Sequence, residues 1–108
     1  LGFSRYIPCL ILKKGEAKLR QRMLDIFECS TSAKQCKQRV HPTEKRIDAI
    51  SKLIKGLSKE NDLILDPFIG GGSTAVACKQ MNRNFIGIEL SPEYCKIANK
   101  RLQQEVLL

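Results

Sequence analysis

The chain is 108 residues long, with 43% hydrophobic and 28% charged residues, which suits one globular domain and excludes a fibrous or low-complexity polymer. No apolar run approaches the ~20 residues that span a bilayer; the longest, residues 7–12, is interrupted by Pro8 and stops at Lys13 and Lys14. The net charge of +8 is uneven: residues 1–46 hold 11 Lys/Arg against 4 Asp/Glu, a net +7, and residues 47–108 hold 8 against 7, a net +1, so a polyanion is the natural partner of the first part.

In chain order, residues 6–12 have the composition of a strand, closed by the charged turn Lys13-Lys14-Gly15. Residues 17–26 read as a basic helix, 25–29 as a second short strand and 29–38 as a polar loop. Thr43 is placed to cap a helix whose Ile47, Ile50, Ile54 and Leu57 recur at helical spacing, with Ala49 and Leu53 widening the apolar stripe. The polar connection Lys59-Glu60-Asn61-Asp62 leads into Leu63-Ile64-Leu65, a run suited to a strand buried on both faces, which ends at Asp66-Pro67-Phe68-Ile69. Gly70, Gly71 and Gly72 follow, and a helix runs from near Ser73 to about Met81. Asn82-Arg83-Asn84 turns the chain into a second strand, 85–89, ending at Glu89. Ser91 and Pro92 then supply a cap and a first helical residue for a last helix with Tyr94, Ile97, Ala98 and Leu102 on one face.

Helix, strand, glycine turn, helix, strand, helix is the order of a doubly wound α/β sheet, with strands 63–66 and 85–89 parallel and flanked by helices. Ligands of such sheets bind outside the carboxyl ends of the strands, where Asp66 and Glu89 fall. Three glycines let backbone approach a ligand closely at the start of a helix. Glu89, 17 residues after Gly72, is placed to accept hydrogen bonds from the hydroxyls of a ribose. Two adenosine-containing cofactors compete. Gly70, Gly72 and Ala75 satisfy the G-x-G-x-x-A dinucleotide pattern, which points to NAD. Asp66 at the strand tip opposes a pyrophosphate and suits a cationic end instead, which favours S-adenosylmethionine. Five cysteines at spacings of 20, 7, 42 and 17 and a single histidine give no metal-ligand pattern; free thiols in a reducing cytoplasm fit them best.

Residues 66–74, Asp-Pro-Phe-Ile-Gly-Gly-Gly-Ser-Thr, resemble the S-adenosylmethionine loop of DNA methyltransferases that modify the exocyclic amino group of adenine or cytosine. His41-Pro42-Thr43-Glu44-Lys45 resembles the segment that precedes that loop in the family. Residues 83–89, with Tyr94 and Ala98-Asn99-Lys100-Arg101-Leu102, resemble the stretch that follows it. The likeness covers residues 41–108. It departs from the family pattern at Arg46, where proline is usual, at Gly71, where serine is common, and at Ser73, where threonine is common. The resemblance implies a partial Rossmann-like methyltransferase sheet. Asp66, Phe68, Gly70 and Gly72 would line the methionine part of the cofactor, with Ser73 and Thr74 opening the helix beside it. Thr43 and Lys45 would reach its carboxylate, Glu89 would hold the ribose, and Leu90 would pack on the adenine.

The family also needs a catalytic tetrapeptide of the type Asp/Asn/Ser-Pro-Pro-aromatic, and none of Pro8, Pro42, Pro67 and Pro92 is followed by a second proline. In the permuted order that tetrapeptide lies upstream, so residues 41–108 read as an S-adenosylmethionine-binding half-domain, inactive alone. Residues 1–40 read as the end of the catalytic half or a DNA-contacting region. Lys13, Lys14, Lys18, Arg20 and Arg22 are candidate phosphate contacts on double-stranded DNA. The alternative is a stand-alone or degenerate module that binds DNA or cofactor without chemistry. A first residue other than Met, and the lack of a leader pattern, fit a piece of a longer cytoplasmic protein. An unpaired sheet edge in such a piece favours self-association.

Overall fold

The computed structural model describes residues 9–16 and 47–106. Its elements run in the order α1 (Ile47–Leu57), β1 (Leu63–Asp66), α2 (Ser73–Gln80), β2 (Asn84–Gly87) and α3 (Pro92–Val106). The two strands pair in parallel, with Leu63 opposite Asn84 and Asp66 opposite Gly87. Both strands therefore end on the same side, which is the feature of the fold that builds a site.

Helix spacing explains the core. The stripe of Ile47, Ile50 and Ile54 lies against Ala77 and Cys78 of α2, and Ile64, Phe85 and Met81 close the cluster from the sheet side. Ala75, Val76, Ala77 and Cys78 are all buried, so α2 is enclosed on nearly every side and needs small residues there. Asn82, with a φ of 57°, takes the left-handed conformation that ends α2. Arg83 then ties the entry of β2 to the ends of α1 and α2. Its Nη2 donates to the Ser58 carbonyl at 3.0 Å, its Nη1 to the Met81 carbonyl at 2.6 Å and its Nε to Ser58 Oγ at 3.2 Å.

Three expectations need correction. The second strand stops at Gly87, not Glu89. Its ladder continues with Ile88 N–H donating to the Asp66 carbonyl, but the Ile88 carbonyl then accepts from Ile69 rather than from Phe68. Asp66 Oδ1 has taken the Phe68 N–H at 3.0 Å, which removes the regular donor and slips the pairing by one residue. Secondly, the strands are not buried on both faces. Ile64 and Phe85 face the helices, while Leu63, Leu65, Ile86 and Ile88 are each 50–62% exposed on the other face, because the described helices all pack on one side. Thirdly, residues 9–12, the described part of the expected strand over 6–12, are irregular and exposed; no described strand pairs with them. The turn that follows falls at Gly15 and Glu16, with Gly15 at a φ of 68°. The elements expected over 17–38 lie outside the described residues. No helix among the described residues is long and apolar enough to cross a membrane.

Candidate functional site

Asp66 organises the turn that follows it. Its Oδ1 accepts the Phe68 N–H, a side chain bonding two residues ahead, and its Oδ2 accepts the Thr74 hydroxyl at 2.6 Å. One carboxylate thus ties the end of β1 to the first turn of α2 and sets the path of the residues between. Gly70 and Gly72 both need positive φ, 53° and 87°. They differ in surroundings. A Cβ on Gly70 would meet nothing within 4 Å, so the turn is open there. A Cβ on Gly72 would lie 2.7 Å from Ala98 Cβ and 3.0 Å from Ala98 Cα, so Gly72 is the point where α3 presses on the turn.

Glu89 lies two residues beyond β2, beside this turn. Its Oε1 accepts the Ser91 N–H at 2.8 Å, and Cys95 Sγ points at its carbonyl from 3.7 Å, which anchors the acid to the first turns of α3. Ser91 Oγ in turn accepts the Tyr94 N–H at 3.4 Å as the helix cap and donates to Glu93 Oε2 at 3.0 Å. Glu93 is held below the ordinary glutamate value, first by its own backbone N–H and then by Ser91, against a small opposing effect of burial. Leu90 at 95% and Phe68 at 88% are the two most exposed large apolar side chains described, one after each strand. Two apolar surfaces and a carboxylate thus border an open, glycine-lined turn.

The structure brings Asp66, Phe68, Gly70, Gly72, Ser73, Thr74, Glu89 and Leu90 to one end of the sheet. Ser73 is buried on the α3 side, 3.4 Å from Arg101 Nη1, and the Thr74 hydroxyl is spent on Asp66. Lys13 and Lys14 are exposed in the segment before the Gly15 turn. Thr43, Lys45, Lys18, Arg20 and Arg22 lie outside the described residues. No group of three potential ligands among the described residues forms a metal site. Cys78 has its thiol value raised by burial, offset by Arg83 and reinforced by Asp66. Sequence reasoning assigned no role to Ile69, which presses on Gly87 and would clash with any side chain there, or to Arg101, whose Nη1 donates to the Gly71 carbonyl at 2.7 Å. Arg101 was within reach of the sequence in one respect: it lies three residues after the buried Ala98, on the same helical face.

Residues 10–100 match the family model described as DNA methylase. The chain belongs to the DNA methylase family. Among its relatives is the type II methyltransferase M2.LlaDCHI of Lactococcus lactis subsp. cremoris, 44% identical over 85 residues that make up 78% of this chain and 32% of the relative. The solved structure of the M1.HpyAVI–SAM complex superposes with a TM-score of 0.58 at 46% identity, covering 60% of this chain and 32% of that one. The PvuII DNA methyltransferase, described as cytosine-N4-specific, gives a TM-score of 0.56 at 26% identity, covering 63% of this chain and 24% of its own. The chain thus spans about a third of the length of the curated methyltransferase it matches. These matches agree with the α/β architecture and the parallel strand pair of this DNA methylase chain.

Proposed function

We propose that this chain is the cofactor-binding portion of a site-specific DNA methyltransferase that moves a methyl group from S-adenosylmethionine to the exocyclic amino group of adenine or cytosine. The observation that carries the reading is the pairing of β1 with β2 in parallel, which sets Asp66 and the glycine turn beside Glu89 in a chain of the DNA methylase family. Neighbours described as a SAM complex and as cytosine-N4-specific support the cofactor and the target chemistry. S-adenosylmethionine supplies a sulfonium-activated methyl group when bound. The chain's own residues bind and orient it. Open backbone at Gly70, the turn that Gly72 makes possible and the exposed ring of Phe68 receive the methionine end, whose positive charge Asp66 favours. Ser73 and Thr74 start the helix beside it. Thr43 and Lys45 reach its carboxylate. Glu89 accepts from the ribose hydroxyls and Leu90 covers the adenine, each at the margin of the same turn.

In this reading residues 41–108 form a half-domain, and residues 1–40 belong to the catalytic half or to the DNA-contacting surface. The remainder of a longer or two-part cytoplasmic protein supplies the group that holds the flipped base. Lys13, Lys14, Lys18, Arg20 and Arg22 contact phosphates of double-stranded DNA. The chain by itself turns nothing over.

Calorimetric titration of the chain with S-adenosylmethionine, with NAD as the competing ligand, tests this. Saturable binding of the first alone is expected. Glu89→Gln and Asp66→Asn, which keep shape and remove charge, should each weaken it about tenfold, the loss associated with one hydrogen bond to a charged group. A folded chain that binds NAD, or that binds S-adenosylmethionine equally well with both charges removed, would overturn the reading.

A further inference from the structure

Both ends of the peptide unit joining Gly71 to Gly72 are held. Its carbonyl accepts from Arg101 Nη1 at 2.7 Å, and its N–H donates to the Ile69 carbonyl at 3.0 Å. Its Cα at Gly72 abuts Ala98, which is buried. Arg101 and Ala98 occupy one face of α3, three residues apart. About 9 Å back along the same helix Cys95 points at the Glu89 carbonyl, and Ser91, just before the helix, holds the Glu89 carboxylate through its N–H. One rigid helix therefore touches both parts of the site. The guanidinium also stands at the start of α2, where a positive charge is disfavoured by the helix dipole; the Gly71 carbonyl at 2.7 Å and Ser73 Oγ at 3.4 Å both accept from its Nη1 there.

We infer that Arg101 is a positioning residue: acting through the Gly71 carbonyl, it fixes the turn in the shape that receives the methionine end of the cofactor, while the adenosine end is held by Glu89 and Leu90. This rests on the cofactor reading above. It makes the two ends of the ligand separable. Adenosine carries only the end that Glu89 and Leu90 hold; S-adenosylmethionine carries both.

The test compares the affinities of S-adenosylmethionine and adenosine for the unaltered chain, Arg101→Met and Arg101→Lys. Methionine keeps much of the stem's packing and removes the donors; lysine keeps one charged donor. Arg101→Met is expected to weaken S-adenosylmethionine about tenfold, as for one lost charge-assisted hydrogen bond, and to leave adenosine within twofold. Arg101→Lys should recover part of that loss, and it carries the comparison if the methionine variant does not fold. Equal losses for both ligands would mean that Arg101 only docks α3, and no loss would mean that it does not shape the turn; either result overturns the inference while the cofactor reading stands. An unaltered chain that binds no S-adenosylmethionine overturns the reading and the inference together.

Discussion

Gly70 and Gly72 share a backbone conformation and differ in what surrounds them, so they separate two costs that are often lumped together. Gly70→Ala incurs only the left-handed conformation of a residue with a Cβ, about 1 kcal/mol, since its Cβ would meet open space. Gly72→Ala adds a collision with Ala98 and should cost about 3 kcal/mol or more. Urea denaturation of the two variants checks the difference; equal losses would mean that α3 yields to the added methyl. Cys78 offers a second residue-level expectation. Its thiol is buried and its ionisation is raised, so maleimide at neutral pH should modify Cys95 and leave Cys78 intact until urea unfolds the chain, as read by peptide mass. The linkage has a definite sign. The unfolded chain loses this proton first as pH rises through about 9, so the folded state is at its full relative stability below that point and loses it above. Asp66 is the residue whose sequence reading was least complete. Its position at the strand tip was legible, because strand and glycine run are local features. Its bonds to Phe68 and Thr74 were not, because they depend on where α2 begins in space.

At the scale of elements, the start of α3 responds to acid through Glu93. Glu93 accepts from its own backbone N–H and from Ser91, and both bonds favour its charged form. Its folded value lies below the unfolded one, so this contribution is complete above the ordinary glutamate value and disappears as pH falls through the folded value. Glu93→Gln should therefore show less loss of helical signal between pH 6 and pH 3 than the unaltered chain; identical acid profiles would remove the cap from the account. The strand β1 emerges where the sequence put it, at residues 63–66, and α2 and α3 begin at the expected Ser73 and Pro92. These boundaries were readable because glycine, proline and helical spacing act within a few residues. The end of β2 was not readable. It is decided by Asp66, a residue on the other strand, which takes the Phe68 donor away from the ladder.

For the whole molecule, the distribution of apolar surface is the leading fact. Leu63, Leu65, Ile86 and Ile88 form one bare face of a two-stranded sheet, and the described helices all cover the other. Full burial of such a side chain contributes about 1.5–3 kcal/mol, and these are only half exposed, so covering them would contribute roughly 1 kcal/mol each, a bias toward association. The chain on its own should sediment with increasing mass as concentration rises, and Leu65→Lys should shift it toward monomer. A monomer at every concentration would show that this face is not what associates.

The sequence by itself determined the order of the elements from α1 to α3, the positions of the glycine turn and of Asp66 and Glu89, and the uneven charge, since each is written in neighbouring residues or in composition. It also carried the family, through three short motifs in register. Only the tertiary structure decided which face of the sheet is covered, that Arg83 ties the entry of β2 to Ser58 at the end of α1, and that Arg101 holds the Gly71 carbonyl. Those last two contacts join residues 25 and 30 positions apart. No local period encodes such a pairing; it exists only once α3 has packed beside α2 and the strands have set their register.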